Sequence, residues 1–407
     1  MAIPNLVVTF DFSSGAVFSY PFIIGEGVLG VNVLADAAAL VVDISSQVNK
    51  VTIKRGYNLL QEEFQAGVAT VRIIDVNGDW NPTNSSSPYA GLLVPLRKVR
   101  ISGDNNFLYS GYTTAYNYSW DREQNVGFVD IQLSDAFRLL NMSIVTTVAD
   151  ATAGQTTGTR ITKILDQIGF PTGMRSIETG STTVQADPAI SRTSLKAISN
   201  MEFSEQGGFY ILPSGDAKFI SRSSIQSKSG ANPTFFSNAG DGISYRSLVT
   251  ALDDKLIVNQ TSVTRAGGTA QTSSNTASQI KYFPHSFTAT DLLVQTDAQA
   301  LDIARAYTAS RAETTLRVDS LSLDLNTDDY AAGTTAALTL DFFDTIRVKN
   351  VGQDGTVIDK TLQCMGVSHE ISVSSWLTTL TTSEPIIDSF IIGSSLYGII
   401  GTSVMTY

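Results

Sequence analysis

A mainly β protein with an α+β insert is predicted, organised as two related barrel-like or sandwich-like domains in one chain. Three observations carry the prediction. Apolar and polar residues alternate through Val51-Thr52-Ile53-Lys54-Arg55, Val129-Asp130-Ile131-Gln132-Leu133, Leu321-Ser322-Leu323-Asp324-Leu325 and Ile346-Arg347-Val348-Lys349. That period of two puts one side of a strand on a core and the other on solvent or a partner. Helical periodicity is concentrated in the middle of the chain, with β-rich blocks on either side. Finally, the chain has 407 residues, more than the roughly 100–200 of a single domain.

The elements follow in chain order. Residues 1–35 read as an N-terminal arm and 36–145 as the first β domain. Its turn is marked by Asn77-Gly78, and a short helical turn after Ser134 directs Phe137 and Leu140 inward. Residues 146–250 form an α/β insert whose end is expected to return to the first barrel. Ile161, Ile164, Leu165 and Ile168 make one apolar stripe, and Gly169 with Pro171 ends that helix. Leu195, Ile198 and Met201 mark a second helix, closed by Gly207-Gly208, and Pro213-Ser214-Gly215-Asp216 turns a hairpin. Residues 251–385 form the second β domain. Its one helix carries Ala300, Ile303, Ala304 and Tyr307 on a face, with Thr296 and Gln299 spaced as a capping box. The polar stretches Ser223 to Asn238 and Ala266 to Ser278 read as loops. Residues 386–407 are a C-terminal arm.

The two arms resemble each other. Phe22-Ile23-Ile24-Gly25 is followed by Gly30, and Phe390-Ile391-Ile392-Gly393 by Gly398 at the same spacing. Paired docking arms are expected, with Phe22, Ile23, Ile24, Phe390, Ile391, Ile392, Leu396 and Tyr397 as the interface residues. The stretch from Ser389 to Tyr407 carries no charge, but its glycines and hydroxyls and the lack of a basic flank argue against a membrane span.

Composition narrows the function classes. Hydrophobic residues make up 43% and charged residues 16%, with a net charge of −11. No dense run of Lys and Arg is available to grip phosphates, so tight nucleic-acid binding is not expected. The single cysteine, Cys364, precludes an intrachain disulfide and suits folding in a reducing cytoplasm. The N-terminus lacks the pattern of a signal peptide.

No catalytic, cofactor or metal site is read from the motifs. Gly25-Glu26-Gly27-Val28-Leu29-Gly30 matches a dinucleotide fingerprint, but Lys50 stands where the ribose acid belongs and Val31-Asn32-Val33 starts a helix poorly. Asp75-Val76-Asn77-Gly78-Asp79 opens like a calcium loop but has Trp80 and Ser86 at the sixth and twelfth places, so a polar turn is expected. Cys364 and His369 lie five apart in a strand-like stretch, hence on opposite faces. His285 sits in a loop with no evident partner. Two histidines and no HExxH leave zinc-dependent wall lysis without ligands. The aromatics Phe107, Tyr109, Tyr112, Tyr116, Tyr118 and Trp120 could form a sugar platform, though packing is the commoner use of strand aromatics.

The order of several segments resembles a known family. Lys50 to Tyr57, Phe64 to Val71, Asp79-Trp80-Asn81-Pro82-Thr83-Asn84, Pro95 to Ile101, Leu108 to Tyr112 and Ser134 to Leu140 are similar to the opening of actinobacteriophage-type minor tail proteins. Ile164 to Pro171, Phe209 to Phe219, and His369-Glu370-Ile371 with Trp376 to Leu380 are similar to later blocks. The resemblance covers nearly the whole chain. It implies a hub of the kind found in contractile-phage baseplates, a homotrimeric ring with two barrels per subunit and no enzymatic activity. The implied partners are other copies of the chain, a distal tail or tail-tube protein, and tip or fibre proteins, with DNA only as passing cargo. The implied location is the tail tip of the virion. Symmetry gives the reason: three chains meet a six-fold tube if each presents two equivalent surfaces. A receptor- or glycan-binding tail protein and a tail-associated wall hydrolase are the alternatives.

Overall fold

The computed structural model describes residues 3–13, 15–19, 40–58, 63–123, 125–229, 232–327 and 330–385. The first block contributes β1 (Leu6–Asp11), β2 (Val41–Asp43), β3 (Val48–Asn58), β4 (Glu63–Asp75), β5 (Lys98–Gly103), β6 (Asn106–Asp121) and β7 (Val126–Ser134). After α1 (Phe137–Met142) and α2 (Thr157–Gln167), the insert adds β8 (Arg175–Ile177), α3 (Ser194–Glu205), the hairpin β9 (Gly208–Ile211) and β10 (Ala217–Ile220), and α4 (Arg222–Ser229). The chain continues through β11 (Thr234–Ser237), β12 (Ser247–Ala251), β13 (Gln260–Arg265), β14 (Gln271–Ser274), α5 (Thr276–Tyr282), β15 (Ser286–Leu292) and α6 (Asp297–Arg311). It ends with β16 (Arg317–Asp324), α7 (Ala331–Thr339), β17 (Thr345–Val351), β18 (Val357–Ser372) and β19 (Ser375–Ser383).

Both β blocks have one topology. The strand order is β3-β4-β7-β6-β5 in the first and β12-β16-β19-β18-β17 in the second. Numbered within each block, both read 1-2-5-4-3. The fourth strand has 16 residues in each case. Its first half pairs with strand three and its second half with strand five. A register shift at Thr114 in β6 and at Met365 in β18, the ninth residue of each, lets one strand serve two neighbours. A bulge bends a strand and increases its twist, which suits that change of partner. An extra strand flanks strand three in each block: β1 lies antiparallel on β5, and β11 parallel on β17.

The blocks are not separate bodies. β18 pairs antiparallel with β3 from Gly366↔Gly56 to Ser372↔Lys50, giving a 13-stranded sheet. One apolar cluster runs through both, from Val8, Phe10, Ile53 and Ile131 to Leu321, Leu362, Trp376 and Leu380. Two expected boundaries change. Leu6–Asp11, placed in the N-terminal arm, is a core strand on β5. The end of the insert returns to the second block, where β11 and β12 pair with β17 and β16. Residues 260–311 make a small unit of their own within the second block. There, β14-β13-β15 is covered by α6 over Val263, Leu292, Ala300 and Ile303.

The predicted helices form where periodicity places them. In α2, Ile161, Ile164 and Leu165 are buried and Thr156 caps the start. Its end is a Schellman motif: Gly169 has φ 72°, and Phe170 N–H donates to Leu165 O at 2.9 Å. α6 has the expected capping box, Thr296 with Gln299. α3 stops at Gln206 (φ 56°), one residue before the glycine pair. Gly208 is needed for closeness instead, because a Cβ there would meet the rings of Phe343 and Phe64 at 2.8–2.9 Å. The two stretches read as loops are partly regular, holding α4 and β11 in one and β14 with the start of α5 in the other.

Candidate functional site

The long sheet has one apolar and one polar face, and the polar face continues across both blocks. One lateral row runs Ala115, Gln132, Thr70, Thr52, Glu370, Leu377 and Asp324, each opposite the next. A second runs Asn117, Asp130, Arg72, Lys50 and Ser372. Charges of both signs are interleaved, and Arg72 pairs with Asp130 at 3.0 Å. Hydroxyls fill much of the rest; Ser322 and Thr379 are 3.1 Å apart. Such a face is wettable but offers no basic stripe to hold a phosphate backbone.

The aromatic residues are mostly structural. Tyr109 and Tyr112 are buried, and their hydroxyls donate to Gly67 O and Val17 O at 3.0 Å each. Tyr116 donates to Val94 O at 3.1 Å. Only Phe107 and Trp120 of the six are exposed, and they are separated along β6 by the bulge. A flat sugar platform is therefore not formed by this set.

The Cys364–His369 reading needs correcting in its reason. The bulge at Met365 restores both residues to the core side, opposite Thr382 and Thr378. They still do not meet, since four residues of strand span about 13 Å. His369 Nδ1 is 2.9 Å from Thr378 Oγ1 and 3.3 Å from Trp376 Nε1, so the ring is a satisfied core group. Burial lowers its pKa to about 3, which keeps it neutral, and raises the Cys364 thiol to about 12. His285 does have partners: Nε2 lies 3.0 Å from Tyr282 O, and the His285 backbone N–H donates to Asn259 Oδ1. Asp75 accepts from the Asp79 and Trp80 amides at 2.8 and 3.1 Å, as a polar turn should. Among the described residues, no group of three or more His, Cys, Asp or Glu is placed to hold a metal, and no helix is long and apolar enough to cross a membrane.

Buried charges tie the insert to the sheet and the insert's own elements to one another, and periodicity gave no sign of them. Arg55 on β3 donates to Ile211 O at 2.8 Å, pairs with Asp341 at 3.1 Å and lies over the Phe342 ring at 4.8 Å. Asp135 accepts the Gly67 and Phe137 amides at 2.6 and 2.9 Å, and burial raises its pKa to about 7. Glu205 holds the α2 start through Thr157 Oγ1 at 2.9 Å and the Thr182 amide at 2.7 Å. These are scaffold contacts, each satisfying a group that burial would otherwise penalise.

The arm residues Phe22, Ile23, Ile24, Phe390, Ile391, Ile392, Leu396 and Tyr397 lie outside the described residues. Among the unpaired sheet edges of the described residues, two are the counterparts, in the opposite blocks, of the edges that β18 and β3 join. β12 ends the strand order, and residues 115–121 of β6 have β7 on one side only. Trp120, Val249 and Leu252 are exposed at these edges.

The fold as a whole is similar to that of solved phage tail proteins. The prophage MuSo2 43 kDa tail protein of Shewanella oneidensis superposes with a TM-score of 0.57 at 11% identity, over 94% of this chain and 98% of that one. The tail protein of Neisseria meningitidis MC58 gives 0.56 at 10% identity, over 85% and 94%. No family model matches the chain, and no curated protein matches it by sequence.

Proposed function

We propose that this chain is a structural subunit of a bacteriophage tail tip, three copies of which form a hub ring around the path of the DNA. The duplicated topology carries the reading. One chain presents two units of the same strand order, laid side by side by the β18–β3 pairing. Three copies then offer six similar units to a six-fold tube. The polar face lines the channel, where mixed charge and hydroxyls wet passing DNA without retaining it. The arms dock on neighbouring subunits or on the tube, which shelters their Ile and Phe from water. The role is structural rather than catalytic, in the virion, after synthesis in the host cytoplasm.

The test is assembly. Native mass measurement and low-resolution imaging of the purified chain are expected to give a three-membered ring with a central opening. Removing residues 386–407 is expected to leave the melting transition in place and reduce incorporation into tails. A solitary subunit without an opening, or normal incorporation of the truncated chain, would overturn the corresponding part of the proposal.

A further inference from the structure

We infer that the open edge of β6, residues 115–121, receives β12 of a second copy of this chain as an antiparallel strand, in the register that β18 shows toward β3. The inference rests on the ring reading and specifies the surface by which one copy meets the next.

Equivalent positions can be matched through the ladders. Across the first block, one row reads Val51, Val71, Ile131 and Tyr116. Across the second, the matching row reads Leu248, Leu321, Leu380 and Val367. Tyr116 and Val367 are both the eleventh residue of their 16-residue strands, so independent landmarks agree. β18 uses both edges over residues 366–372, with β19 on one and β3 on the other. Among the described residues, β6 over its equivalent stretch has only β7, and β12, the counterpart of β3, has only β16.

Burial shows the same gap. On β18, Val367, His369 and Ile371 are 4%, 3% and 2% exposed. Their counterparts on β6 are Tyr116 and Tyr118, both half-buried, and Trp120, 54% exposed. On β3, Val51 and Ile53 are fully buried and Arg55 nearly so. Their counterparts on β12 and just beyond it are Leu248, half-buried, Thr250, exposed, and Leu252, 67% exposed. The missing cover lies on two edges of the same chain, at the positions that the internal joint covers. Carrying the internal register over pairs Trp120 with Leu248, Tyr118 with Thr250 and Tyr116 with Leu252. The contact is head-to-tail, so each copy offers one edge and accepts one, and a closed ring leaves neither open.

The test places cysteines on the polar side of the joint, at Ser119→Cys and Val249→Cys, which the register sets opposite one another. Both sites are exposed, and the native Cys364 is fully buried. Opposed strand residues lie within disulfide reach. In the full chain carrying both substitutions, mild oxidation is expected to give a ladder ending at the covalent trimer, with mass spectrometry joining the peptides of residues 119 and 249 between chains. Each single variant is expected to give no 119–249 link, and unchanged melting curves confirm that the variants fold. Trp120→Asp is expected to weaken self-association roughly thirty-fold, the loss of a buried aromatic anchor. A trimer that forms without the 119–249 link overturns the register while leaving the ring. A link from residue 119 to the chain's own terminal arm overturns the choice of occupant. A monomer at every concentration overturns the ring and this joint together.

Discussion

Gly103 and Trp376 provide a direct test of whether the two blocks share a core. Gly103 ends β5 in the first block; Trp376 lies on β19 in the second and is fully buried. A Cβ added at Gly103 would stand 2.5 Å from Trp376 Cη2 and 3.2 Å from Leu338 Cδ2. Carbon atoms rest about 3.5–4.0 Å apart, so something must move by about 1 Å. The indole is rigid and its N–H faces His369 Nδ1 at 3.3 Å, which leaves it little freedom to yield. Overpacking of this kind costs about 1–3 kcal/mol. Gly103→Ala is therefore expected to lower the urea midpoint by roughly 0.3–1 M, taking an m-value of about 3 kcal/mol/M. Trp376→Phe, destabilising on its own through the space it leaves, is expected to make room for the new methyl. The double variant should then be about 1–2 kcal/mol more stable than the sum of the two single changes predicts. Equilibrium urea unfolding of the four proteins measures the cycle. A parental midpoint for Gly103→Ala, or additivity within about 0.5 kcal/mol, refutes close packing between these blocks.

Two further predictions concern the buried polar groups. Arg55→Ala strands Asp341 and frees the Ile211 carbonyl, and should cost about 2–4 kcal/mol; Arg55→Met, which keeps the stem over Phe342, should cost less, both read from urea midpoints. The pH dependence has two limbs. Burial raises Glu202 to about 8 and Asp135 to about 7, so the folded chain keeps protons that the unfolded chain releases near pH 4. Stability must fall as pH rises from about 4 to 8. His369, lowered to about 3, acts in the opposite sense, because the unfolded ring charges first and stability falls as pH drops below about 6.5. Between about pH 4.5 and 6.5 the two carboxyls outweigh the single imidazole, so midpoints measured from about pH 3 to 9 should peak at about pH 4 and fall continuously above it, and Glu202→Gln should flatten that fall. An alkaline slope unchanged in that variant counts against burial of the Glu202 carboxyl.

Much of this architecture could be read from residue order. Alternation located β3, β7, β16 and β17, and the stripes of α2 and α6 fell where expected because one face of each is buried. α7 left no such trace: Ala331–Thr339 is small-residue-rich and has no amphipathic pattern to detect. Bulges are also silent in sequence, and each reverses which side every later residue faces. That is why Cys364 and His369 were assigned to opposite faces. The equivalence of the blocks was out of reach for another reason. Rows such as Val51-Val71-Ile131-Tyr116 and Leu248-Leu321-Leu380-Val367 match in place, while their side chains need only be apolar and of suitable size. The β18–β3 joint links residues more than 300 positions apart, and no local pattern foretells it.

That joint also sets the mechanics of the subunit. A pair of units tethered by a flexible linker could swing apart under load; here continuous backbone hydrogen bonds and an undivided interior span the division. Pulling the halves apart would unzip a ladder and expose apolar surface at once, so the subunit deforms as a single stiff plate. In the proposed ring, motion during DNA release would then fall to the seams between copies and to the elements hung on the plate, and widening the opening would be a matter of sliding or parting whole subunits rather than bending one.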